Sequence, residues 1–95
     1  LKFNSTEDRD AFITIWSTLG DYVKHHEPTT LAFELSIADT DPCMILVYER
    51  YVDKEEAFLK IHRSSPAFLK FKEEQTGIKC HIMGQSYYET GLGKM

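Results

Sequence analysis

The chain has 95 residues, of which 42% are hydrophobic, 13% aromatic and 27% charged, with a formal net charge of −4. That length predicts one domain, residues 1–95, and excludes a second folded unit, while the aromatic content excludes a disordered chain. An acidic balance without a concentrated basic surface argues against nucleic acid as a partner.

Leu1 to Phe3 reads as the tail of a strand, and Asn4, Ser5 and Thr6 then offer caps for a helix whose first turn carries Glu7 and Asp8. Phe12, Ile13, Trp16, Leu19, Gly20 and Val23 recur at steps of three and four, which predicts an amphipathic helix of about five turns. Pro28 ends it, after Lys24, His25 and His26.

From Thr29 to Ile37 the period changes to two. Leu31, Phe33, Leu35 and Ile37 share one face, and Thr30, Ala32, Glu34 and Ser36 the other. A turn at Asp39–Pro42 leads to a second strand, Cys43 to Tyr51, as an antiparallel partner. Both its faces are rich in large groups: Ile45, Val47, Glu49 and Tyr51 on one, Met44, Leu46 and Tyr48 on the other. Helices can cover one face only, so the other predicts a second copy of the chain laid against it.

Asp53 followed by Glu56 is a capping box, placing a helix start just after Asp53. Ala57, Phe58, Ile61, His62 and Ser65 then share a stripe at helical spacing, which turns His62 inward. Ser64-Ser65-Pro66 interrupts the helix and restarts it, with Ala67, Phe68 and Phe71 continuing the apolar face. Ile78 to Glu89 reads as a last strand and Thr90 to Met95 as an end or arm. The order β-α-β-β-α-β predicts an α+β, ferredoxin-like split β-α-β fold: one antiparallel sheet with two helices on one face.

Glu49, Tyr51, Asp53, Ala57-Phe58, His62, Ser65 and Phe68, at this spacing, resemble the core signature of the antibiotic biosynthesis monooxygenase (ABM) superfamily. The resemblance implies a homodimeric α+β barrel with a pocket between sheet and helices. It also implies oxidation of a phenolic or quinol-type aromatic substrate by molecular oxygen, with no metal, flavin or nicotinamide cofactor. In that reading the substrate supplies the electrons, and the protein removes a proton in a dry pocket. His62 is the expected base and Glu49 its orienting partner, with Trp16, Tyr51, Ser65 and Phe68 expected around the substrate. Related family members are isomerases, so proton transfer on a small carbonyl compound is the alternative activity, and a non-catalytic ligand-binding dimer the alternative class.

Cys43 and Cys80 are too few for a disulfide framework and lack metal-ligand spacing. His25-His26-Glu27 reads as a solvated helix end, since neighbouring side chains there do not converge on one ion. His81 is a second, weaker pocket candidate. With no apolar run of membrane-spanning length and no signal peptide, the expected location is the cytoplasm. Glycine-rich dinucleotide, phosphate-loop and nucleophile-elbow motifs are absent.

Overall fold

The computed structural model describes residues 1–94. Ser5 caps the first helix, α1 (Thr6–His26), its hydroxyl oxygen accepting from the Asp8 amide at 3.1 Å. Before it lies the short strand β1 (Lys2–Phe3), and after it come β2 (Thr30–Ile37) and β3 (Ile45–Tyr51), paired antiparallel from Thr30↔Tyr51 to Ile37↔Ile45 with a bulge at Leu31. A helix (α2, Pro66–Gln75) and a final strand (β4, Cys80–His81) complete the order.

β1 joins the two antiparallel ladders. It pairs with β4 through Lys2↔His81 and Phe3↔Cys80, and reaches β3 through the Lys2↔Met44 bridge and the Phe3 amide on the Cys43 carbonyl at 2.9 Å. The strands therefore run β4-β1-β3-β2, the ferredoxin-like α+β arrangement. Between helices and sheet lie Phe3, Phe12, Leu19, Val23, Ile45 and Phe71, all buried. Phe12 sits at the centre, 5.3 Å from Phe3 and 5.5 Å edge-on from Phe71 between ring centroids. Each such side chain contributes about 1.5–3 kcal/mol by leaving water.

Three expectations are corrected. The last strand does not run from Ile78 to Glu89: only Cys80–His81 are paired, with Phe3 and Lys2 of β1. Residues 82–94 lie exposed, and the ion pair of Glu89 with Arg50 at 2.5 Å ties them to β3. Met95, at the end of the expected arm, is outside the described residues.

The segment after Asp53 is also not a regular α-helix. Lys54–His62 is wound as a π-helix, closed by the Arg63 amide on the carbonyl of Phe58, five residues back, at 3.0 Å. At 3.6 residues per turn, positions 57 and 62 would stand about 140° apart. The wider turn brings them to one face, so Ala57 and His62 are both buried while Ile61, placed inward by α-helical spacing, is 39% exposed.

The capping box forms by half. Asp53 Oδ1 accepts from the amides of Glu56 at 2.8 Å and Ala57 at 2.9 Å, but the Glu56 carboxylate takes Lys60 at 2.9 Å instead of returning to the cap.

On the sheet face away from the helices, Met44, Leu46 and Tyr48 stay exposed, Leu46 at 64%. The described chain does not cover them.

Candidate functional site

His62 is the centre of an aromatic cage. Its ring lies 5.1 Å from Phe33 on β2, 5.5 Å from Tyr51 on β3, 5.1 Å from Phe68 on α2 and 6.4 Å from Phe58 on the π-helical segment. Four elements thus converge on one imidazole. The Arg63 guanidinium sits over two of the cage rings, 5.7 Å from the Phe58 centroid and 5.8 Å from that of Phe68.

The carboxylate that meets His62 is Glu27, not Glu49. Glu27 closes α1: its amide bonds the Val23 carbonyl at 3.0 Å, and its own carbonyl accepts from Thr30 at 3.1 Å as the chain turns through Pro28. That turn directs the side chain inward. Oε1 takes the His62 Nδ1 at 2.9 Å and the Thr30 hydroxyl at 3.0 Å, and both partners of the His62–Glu27 pair have side chains only 1% exposed. Facing a carboxylate, Nδ1 is the donor of this bond. Oε2 of Glu27 and the Thr29 hydroxyl are buried without a partner among the described residues.

Glu49 lies on the helix-facing side of β3, opposite Phe33, but it is exposed and accepts the Tyr51 hydroxyl at 2.5 Å. Burial raises the Tyr51 phenol far above its ordinary value, and the bond to Glu49 and the nearby charges of Glu49 and Glu27 add to the shift. Tyr51 is therefore a neutral donor throughout the accessible pH range.

The remaining expected site residues divide. Phe68 and Tyr51 touch the imidazole. Trp16 does so only through Phe33, on which its indole stacks at 4.9 Å and 8°. Ser65 is buried and caps α2, its oxygen accepting from the Phe68 amide at 3.1 Å. His81 lies exposed at the sheet edge.

Glu27 was the residue missed, though the chain carries a sign of it. Leu19, Val23 and Glu27 follow at steps of four, so the carboxylate continues the apolar stripe of α1 just before a proline. His25 and His26 face elsewhere, with His25 Nδ1 on the Asp21 carbonyl and His26 against the Tyr22 ring. Among the described residues, no three histidine, cysteine or acidic side chains gather as a metal would need, and no helix is long and apolar enough to cross a membrane.

The class these features define is a small ferredoxin-like α+β protein with a carboxylate–imidazole pair sealed between sheet and helices. The antibiotic biosynthesis monooxygenase family model matches residues 5–74, about three quarters of the chain, and the chain belongs to that family. No curated protein matches it.

Proposed function

We propose that the protein is a cofactor-independent monooxygenase acting on a phenolic or quinol-type aromatic, and that it works as a homodimer. The observation that carries this reading is the hydrogen-bonded Glu27–His62 pair inside a cage of four aromatic rings. Carboxylate on Nδ1 and a free Nε2 make a proton acceptor whose ring orientation is set in advance. Removing the proton from a phenol leaves an electron-rich anion that can itself reduce oxygen, and apolar aromatic walls shield such an anion from solvent. Glu27 takes the orienting role the sequence assigned to Glu49, while Glu49 acts on the site through Tyr51. Phe68, Tyr51 and, behind Phe33, Trp16 form the walls, and Ser65 holds Phe68 in place.

The uncovered Met44, Leu46 and Tyr48 face supports the second copy, since a sheet with large apolar groups on both sides needs cover on both. A reducing cytoplasm suits Cys43 and Cys80, two free thiols held apart by the β1 strand running between them.

Oxygen uptake tests the activity. Hydroquinones and polycyclic phenols, screened without added cofactor, should include one that drives uptake by the native chain and not by His62→Ala. Uptake that survives the substitution removes His62 from the mechanism. The closed cage favours one competing reading, a non-catalytic dimer that binds an apolar ligand, and binding without any turnover across the screen would decide for it.

A further inference from the structure

Residues 82–94 form an arm that is bare along its length. Ile82, Met83, Tyr87, Tyr88 and Leu92 are all exposed, Leu92 at 87%. Among the described residues, the backbone beyond His81 pairs with no strand. The arm has one hydrogen-bonded tie to the body, the Arg50 guanidinium donating to both carboxylate oxygens of Glu89 at 2.5 and 3.1 Å.

The arm makes the chain less compact than its size requires. Its accessible surface is 7004 Å², where a folded chain of 11.0 kDa presents about 5,600 Å². Its radius of gyration is 14.0 Å, where about 12.4 Å suits the length. The surplus, roughly 1,400 Å², exceeds the about 800 Å² that one partner gives to a stable interface.

Arm and sheet also match in register. Alternation along β3 sets Met44, Leu46, Tyr48 and Arg50 on the side away from the helices, where the first three stay exposed. Read at the same period of two, Met83, Gln85, Tyr87 and Glu89 fall on one side of the arm. Each row begins with methionine and has tyrosine third, and the two end in opposite charges. Within one chain only the charged ends meet, since Met83 is 82%, Tyr87 85% and Leu46 64% exposed. The ion pair at those ends is itself open to solvent, so it holds the arm weakly. Passing the arm to a second copy gives up that one contact and remakes it between copies, with apolar burial added.

We propose that residues 82–94 are an exchanged arm: in the dimer, the Met83–Glu89 row of each copy lies along the Met44–Arg50 row of the other, closing with Glu89 on the partner's Arg50. This rests on the homodimer reading above and adds to it the segment that covers the sheet face.

Variants of opposite charge test it. Arg50→Glu and Glu89→Arg each set like charges at the contact, so each alone should dimerise more weakly than the native chain. Mixed together they restore both contacts only if the contact runs between copies, because each copy then meets the opposite charge on the other. Native mass spectrometry should find the mixed dimer about tenfold above its statistical share. Lys70→Glu mixed with Glu73→Arg makes the same charge changes at exposed positions of α2 and should give the statistical share. Tyr87→Ala, at a side chain bare in the single chain, should weaken the dimer about tenfold in sedimentation equilibrium with the circular dichroism unchanged. An excess of mixed dimer no larger than the α2 control gives, or a Tyr87→Ala dimer as tight as the native one, overturns the exchanged arm and leaves the homodimer standing. A native chain that stays monomeric at millimolar concentration overturns both.

Discussion

Removing one member of the Glu27–His62 pair should destabilise the protein far more than removing Glu49. Both side chains of the pair are sealed from solvent. Glu27→Ala leaves the His62 Nδ1 proton and the Thr30 hydroxyl without their acceptor, and His62→Ala leaves a buried carboxylate with the Thr30 hydroxyl alone. The buried carboxylate stranded by His62→Ala costs about 3–5 kcal/mol, and each neutral donor stranded by Glu27→Ala about 1–3 kcal/mol. The position of Glu27 at the negative end of α1 trims that slightly, since a carboxylate there is disfavoured by roughly 0.3–1 kcal/mol. Against a typical total of about 5–15 kcal/mol, either single change brings the chain near the limit of folding.

Replacing both at once, as Glu27→Leu with His62→Leu, leaves neither charge nor donor stranded and should cost much less than the two single changes together. Urea unfolding at one fixed protein concentration, with midpoint and slope compared, makes the measurement. Glu49→Ala, at an exposed position, is the control and should stay within about 1 kcal/mol of the native chain. A Glu27→Ala chain as stable as Glu49→Ala, or a double variant as unstable as the sum of the singles, would refute the reasoning.

Other outcomes follow from the same geometry. Because the Tyr51 phenol is raised in the folded state, the folded chain holds a proton that the unfolded chain releases above about pH 10. Its contribution to stability is therefore complete below that pH and falls as pH rises further, and Tyr51→Phe should flatten the alkaline limb of the stability curve. Ser65→Ala removes the α2 cap and should lower stability by about 0.5–2 kcal/mol in thermal unfolding while leaving ligand affinity nearly intact, whereas a substrate-binding serine would reverse that order. Leu46→Lys on the uncovered sheet face should shift a dimer toward monomer in light scattering after size exclusion, with the far-ultraviolet circular dichroism unchanged.

Much of the architecture is written in local spacing. The caps at Ser5, Asp53 and Ser65 are polar side chains reaching amides three or four residues on, and the alternation along β2 and β3 sets which face meets the helices. The inward imidazole of His62 was legible too, though by an α-helical stripe that the structure does not keep. Glu49 shows where such reading ends: it does lie on the helix-facing side of β3, yet its partner is Tyr51, two residues away, and it does not reach the imidazole.

By itself, then, the sequence determined the order of elements, the caps at Ser5, Asp53 and Ser65 and the inward turn of His62, because each depends on side chains a few positions apart. Only the tertiary structure decided the π-winding before His62, its union with a carboxylate 35 residues away and the early end of the last strand. Those three depend on what stands opposite in space. The five-residue hydrogen bond that closes the turn at Phe58 and the acceptor that meets the imidazole belong to an arrangement that no spacing within the segment encodes.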